Sequence, residues 1–407
     1  MVVASAPGKV ILFGEHAVVY GHSAVAAVLS DLRVYANCTL IDQTRIDISM
    51  PDLPSEIGVG NVKFSCEVSH VFERCVSEVA PQKPSQELTQ SLNSCLQSCP
   101  DHDALLPVLF LVVCILRELL DSNKGVCIVV RSRNLPVGAG LGSSAAFGVA
   151  LSASLMKLAV ELKPRELKSD TLLGGRYRPS TCVKDEINQW AYAAECIMHG
   201  NPSGLDNYVS CNGGAVKLVK TDSKFEKITE FPALNIMLTN SMVPRSTREK
   251  VAGVRVLVER FPTIVTSILA SMGEITEDFL ASVEDVDRME TLVQMNHMLL
   301  GAIGVGHPSL DTIVAVTKKF GLFTKLTGAG GGGCAFTLLG NENCSKDSSA
   351  ARIELERLGY RCYDTQVGGE GVLWHDKYID EAPKVYHRWI AIGAFFSIAM
   401  SIIIKRW

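Results

Sequence analysis

What this 407-residue sequence lacks narrows its chemistry first. It has no surplus of positive charge: 39 lysines and arginines face 43 aspartates and glutamates, a formal net of −4, and only 20% of residues are charged. A nucleic-acid backbone finds no basic footprint here, so nucleic acid is not an expected partner. Paired cysteines are also missing. The 13 cysteines are scattered without a CxxC, and the closest two, Cys95 and Cys99, stand one helical turn apart. Neither a zinc knuckle nor a disulfide framework is expected, and the thiols suit a reducing compartment. No signal-peptide core forms before Lys9 and Glu15 interrupt the N-terminus, which sets the expectation of a cytoplasmic protein. Internal repeats and low-complexity blocks are absent too. With 47% hydrophobic residues the chain is not of disordered composition, and at roughly 150 residues per domain it has room for two large domains or three small ones.

Long uncharged runs are few. Residues 104–116 form one, suited to a buried core helix over 104–120 and too short to cross a bilayer. Residues 389–404, WIAIGAFFSIAMSIII, form another, bracketed by Lys384, Arg388, Lys405 and Arg406 and with Trp389 and Trp407 at its ends. As a helix this run spans ~24 Å against a hydrocarbon core of ~30 Å. Cations and tryptophans so placed resemble interface anchors. Residues 376–407 are therefore expected to be a linker and a hydrophobic tail that contacts a membrane through 389–404 and leaves the remainder in the cytosol. A helix buried in a dimer and an aberrant C-terminus are the alternatives.

Short Val/Ile runs at 2–4 and 10–13, parted by Pro7 and Gly8, predict β structure at the start. Residues 125–133 alternate as a strand, LPVGAGLGSSAA breaks them, and a small-residue apolar run continues as helix from Ser144 to about Leu162. Residues 185–199 carry Ile187, Trp190, Ala191, Ala194 and Met198 at helical spacing, with Glu195 at the edge of the stripe and Gly200 as a stop. Residues 164–181 read as a polar loop and 212–240 as strand-like. Helical patterns at 247–281, 287–304 and 309–320 lead to KLT, a five-glycine cluster and the strand CAFTLL. The domain change is placed at residue 228, dividing the chain into 1–228 and 229–375.

Four segments carry chemistry. The loop Gly138, Ala139, Gly140, Leu141, Gly142, Ser143, Ser144 enters a helix, where glycines let backbone N–H groups approach a phosphate and the helix N-terminus adds positive charge. It is not a Walker A loop, because no lysine stands at its end; a plain strand-to-helix turn is the bland alternative. Gly328–Gly333 contains GxGxxG, yet it lies between two strands rather than before a helix, so a Rossmann reading fails and a loop closing over a ligand fits better. In HGNPSGLDN, Glu195 and Asp206 can converge, one to hold a metal and one to accept a proton. SAPGKVILFGEHA supplies Lys9, Glu15 and His16.

Together SAPGKVILFGEHAVVYG, LPVGAGLGSSAA, HGNPSGLDN and KLTGAGGGGC resemble the GHMP family of small-molecule kinases over residues 1 to about 375. The resemblance implies an α+β fold of two domains, the first like domain 2 of ribosomal protein S5 and the second ferredoxin-like, with the site between them. It implies an ATP-dependent, Mg2+-dependent kinase, commonly a homodimer, and points to the C5 hydroxyl of mevalonate as acceptor; a kinase for another small alcohol, or for phosphomevalonate, is the alternative. By the same resemblance Ser144 and Glu195 bind Mg2+ and residues 138–144 wrap the triphosphate. Asp206 accepts the hydroxyl proton, and Lys9 stands close to both substrates. His16, Glu15, Thr247, Gly330 and Gly331 fall on the acceptor side, and Ser132 and Asp52 on the adenine side. Asp52 departs from the asparagine expected after Pro51. A nucleotide sensor descended from such a kinase would have lost Asp206, Lys9 or Glu195, and all three are present. Lys9-Val together with His16-Ala17 also matches a peroxisomal address, but the site itself demands those residues.

Overall fold

A computed structural model describes residues 1–376 except 56–60, 76–80, 98, 118–119, 121–122, 164–166, 220–223, 230 and 341–344. The tail anchor expected at 389–404 therefore lies outside the described residues.

The first half runs β1 (Val2–Phe13), a 3-10 turn (Ala17–Tyr20), β2 (Ser23–Ile41), β3 (Arg45–Pro54), β4 (Asn61–Glu67), α1 (Val68–Phe72), α2 (Gln86–Cys95), α3 (His102–Leu116), β5 (Gly125–Arg133), α4 (Ser143–Leu162), β6 (Ser169–Leu172), β7 (Arg176–Pro179), α5 (Thr181–His199), α6 (Leu205–Asn212), β8 (Ala215–Val219) and β9 (Lys224–Ile228). The second runs β10 (Leu234–Asn240), α7 (Thr247–Arg260), α8 (Pro262–Ala281), α9 (Val286–Ala302), α10 (Pro308–Lys319), β11 (Thr324–Leu326), β12 (Cys334–Leu338), α11 (Ser345–Arg357), β13 (Arg361–Val367) and β14 (Leu373–His375).

The expected boundary at 228 coincides with the end of β9. Beyond it the strands lie in the order β11-β12-β10-β13, all antiparallel. With helices after β10 and β12, that is the βαββαβ arrangement of a ferredoxin-like domain, as the resemblance implies. The division is not complete, because β14 returns to pair with β1 and β7, and Met1–Asp376 form one compact unit. The frame of the first half is β2, whose start pairs with β8 and whose end pairs with β5, while β1 runs antiparallel along both. Helix α4 packs on β1 and β2 and is flanked by α3 and α5. Covered on both sides, it is apolar all round, which explains a composition that could pass for a membrane span.

Three readings need correction. The runs 2–4 and 10–13 are one strand, buried along nearly its whole length, whose pairing with β2 shifts register between Pro7 and Gly8. The bulge accommodates a proline that has no N–H to donate. The loop read at 164–181 contains the hairpin β6–β7, whose strands are too short to show periodicity and are fixed by β14. The helix expected at 247–281 is two helices, parted at Phe261, with Pro262 opening α8 where its missing N–H costs nothing.

Candidate active site

Lys9 stands in the middle of β1, where both strand faces are covered. Its backbone N–H donates to the carbonyl of Leu141 at 2.8 Å, which staples the glycine loop to the strand. Its Nζ lies 3.0 Å from Asp206 Oδ1; the lysine side chain is only 8% exposed, the aspartate 38%. A buried cation thus backs an acid that opens to solvent. Asp206 owes its place to α6. Gly204, at φ +77°, turns the chain into that helix; Ser210 Oγ then donates to the Pro7 carbonyl at 2.7 Å, and Asn207 donates to Asn188 Oδ1 of α5 at 2.8 Å.

In the loop before α4, Gly138, Gly140 and Gly142 have φ of +75°, +78° and +68°. Left-handed glycines alternating with ordinary residues are the backbone pattern of an anion-binding nest, and the N-terminus of α4 follows directly. A methyl group at Gly140 would lie 1.3 Å from Arg245 Nη2, and methyls at Gly328 and Gly333 would also meet that guanidinium. Arg245, which the sequence reading missed, is therefore a fork between the two glycine clusters. Its Nη1 is buried without a hydrogen-bond partner, and burial pushes its pKa below the ordinary value, opposed by Cys334 and Asp206. Its only local signal is its position two residues before Thr247. Gly140→Ala is expected to raise KM for ATP by about tenfold or more and to cost roughly 1–2 kcal/mol of stability, from the strained φ and the displaced guanidinium. An unaltered KM for ATP in steady-state assays would reject this placement.

Glu195 is buried near the end of α5, and its Oε1 has no hydrogen-bond partner. Burial raises its pKa, opposed by a hydrogen bond from Ser144 and by the charge of His199. His199 Nε2 is 3.8 Å from Glu195 Oε2 and 3.2 Å from Ser144 Oγ. An orphaned carboxylate oxygen beside a hydroxyl is the donor pair that a hard divalent cation can use when phosphates supply further ligands. Among the described residues no cluster of three or more His, Cys, Asp or Glu could hold a metal alone.

Of the two residues expected on the adenine side, Asp52 accepts at Oδ2 a hydrogen bond from the backbone N–H of Ser132 at 2.9 Å. Both line an apolar cavity of ≈ 190 Å³ with Met50, Pro107, Phe147 and Met198, which reaches Ser143 and Ser144. A flat apolar base and a triphosphate would thus find adjoining surfaces.

The residues expected on the acceptor side are more divided. His16 adopts φ +59°, is buried, and donates from Nε2 to the Ala329 carbonyl at 3.0 Å. Burial holds its pKa down, and Arg245 and Lys250 add to that. Gly331 N donates to the Val305 carbonyl at 2.9 Å, and a methyl at Gly330 would meet that oxygen at 2.1 Å, so these glycines allow close backbone approach. Thr247 is exposed at the first residue of α7. Glu15 is not brought to the cleft with the others. It is buried, ion-paired with Lys325, and accepts from Asn296 Nδ2 at 3.2 Å.

Comparison with known proteins accords with this geometry. Residues 110–214 match the GHMP kinases N terminal domain and 276–364 the GHMP kinases C terminal domain. The chain is 36% identical to the mevalonate kinase of Homo sapiens over 392 residues, covering 92% of this chain and 95% of that protein. Among solved structures it is similar in fold to the Methanococcus jannaschii mevalonate kinase (TM-score 0.67, 23% identity, 90% of this chain and 98% of that one). It is also similar to the L. major mevalonate kinase in complex with R-mevalonate (TM-score 0.61, 21% identity, 90% and 96%). Phosphate loop, acid–lysine pair and end-to-end likeness agree: the chain belongs to the GHMP kinase family and, within it, to the mevalonate kinases.

Proposed function

We propose that this chain transfers the γ-phosphate of ATP to the C5 hydroxyl of mevalonate, giving ADP and 5-phosphomevalonate. The observation that carries the reading is the Lys9–Asp206 pair, 3.0 Å apart and bound through Lys9 N–H to the glycine loop. Phosphoryl transfer asks a protein mainly for in-line positioning and for neutralisation of the phosphate charge. The open side of Asp206 accepts the hydroxyl proton as the oxygen attacks. Lys9 orients that carboxylate and stabilises negative charge on the attacking oxygen. The N–H groups of 138–144 hold the phosphates, and Arg245, lying against Gly140, neutralises the group in transfer. Ser144 and Glu195 would hold Mg2+, which supplies charge neutralisation at the phosphates when bound. A coupled kinase assay over mevalonate, phosphomevalonate, galactose and homoserine tests the reading. Mevalonate is expected to be preferred by at least about two orders of magnitude in kcat/KM, a margin well within what buried polar groups left unpaired by an ill-fitting substrate impose. Preference for another alcohol would overturn it.

A further inference from the structure

We infer that Lys250 selects a carboxylate on the acceptor alcohol. This rests on the function proposed above and names a residue that sets its specificity. Lys250 lies in the first turns of α7, and its stem crosses the second glycine cluster. A methyl group at Gly331 would sit 2.1 Å from its Cε and 3.0 Å from its Nζ. The cations in and behind the cleft divide by their partners. Lys9 is paired with Asp206 and Lys325 with Glu15, while Arg245 lies against Gly140 on the phosphate side. Lys250 has no acidic partner among the described residues, and His16 on the acceptor side feels its charge. A half-buried ammonium with no acidic partner can take an anionic ligand through charge-assisted hydrogen bonds.

A hydroxy acid whose hydroxyl meets Asp206 must desolvate its carboxylate somewhere in the same cleft, and Lys250 offsets that cost. A lysine suits the task because its flexible stem delivers a point charge without demanding bidentate geometry. An uncharged alcohol gains nothing from it, so the residue discriminates as well as binds.

The test is Lys250→Met in the full chain, assayed with mevalonate and with mevalonamide, in which a neutral amide replaces the carboxylate. KM for mevalonate is expected to rise about 10- to 100-fold, the scale of one charge-assisted hydrogen bond. kcat, KM for ATP and the melting temperature stay close to wild type. The wild-type preference for mevalonate over mevalonamide shrinks by the same factor, and Lys250→Arg recovers part of it. An unchanged KM for mevalonate, or equal losses on the acid and the amide, would overturn the assignment. Wild-type turnover of mevalonate, measured first, tests the proposed function separately. If another acid proves to be the acceptor, the same variant is tested on that acid; an uncharged preferred acceptor refutes both readings.

Discussion

Asp206→Ala lowers kcat by about four orders of magnitude while ATP affinity stays within a few-fold of wild type. The size is the upper end of what a positioned general base contributes. It is reached because two functions go at once: no carboxylate remains to take the hydroxyl proton, and Lys9 loses the group that holds its Nζ at 3.0 Å. ATP affinity is spared because the phosphate loop is stapled to β1 through the backbone of Lys9 rather than through Asp206. Some stability is lost as well, because the substitution strands the Lys9 ammonium, whose side chain is 8% exposed, although water reaching through the open side of the site, where the carboxylate is 38% exposed, offsets part of that cost. Asp206→Asn separates the two functions, because the amide keeps the shape and cannot accept the proton. If that variant stays within tenfold of wild type in single-turnover assays, Lys9 rather than Asp206 carries the chemistry. Near-normal turnover in Asp206→Ala removes the base assignment altogether.

Most of this machinery was legible because it is written in local segments. Left-handed glycines at 138, 140 and 142, a helix stop at Gly200 and an acid in the first turn of α6 leave marks in the sequence that need no partner to interpret. The residues whose setting was not legible depend on distant chain. Arg245 becomes meaningful only when Gly140 and Gly328 are brought to either side of it. Glu15 reads as a cleft residue beside His16 until β11 and α9 bring Lys325 and Asn296 to its carboxylate. The hairpin β6–β7 is four residues per strand and is held by β14, from the far end of the described chain. In each case the missing information was a tertiary partner, which periodicity and motif spacing do not encode. The ferredoxin-like order of the second half came from the resemblance alone: a strand such as CAFTLL is legible by itself, but which strand it lies beside is set by tertiary contacts.

The buried pair behind the GEH motif yields the other large effect: Lys325→Met is expected to unfold the protein more readily rather than to slow its chemistry. Lys325 is 0% exposed. Besides the ion pair with Glu15, it donates to the Leu12 carbonyl at 2.8 Å and lies 5.1 Å from the Phe336 ring and 5.4 Å from the Phe13 ring. Methionine fills the same apolar space but strands a buried carboxylate, and breaking a buried pair on one side costs about 3–5 kcal/mol. The pH dependence identifies the cause. In the wild type, burial raises the Glu15 pKa and Lys325 pulls it down. Without the ammonium the pull is gone, so the folded-state pKa stands further above the unfolded value of about 4.3. A raised folded-state pKa means stability that is fully present below the unfolded pKa and lost as pH rises through the folded one. Lys325→Met should therefore lose the most melting temperature relative to wild type near neutrality, and recover part of it towards pH 4. Adding Glu15→Gln removes the stranded charge and restores much of the loss, a coupling that a double-mutant cycle reads directly. If Lys325→Met melts with the wild-type midpoint and pH profile, the ion pair is not what anchors this segment. His16 is the next residue along the chain and bonds to Ala329, three residues past β11, so a loosened Glu15 also frees the acceptor-side ring. KM for the acceptor then rises in whatever fraction of Lys325→Met remains folded, and Glu15→Gln should lower it again in parallel with the recovery in stability.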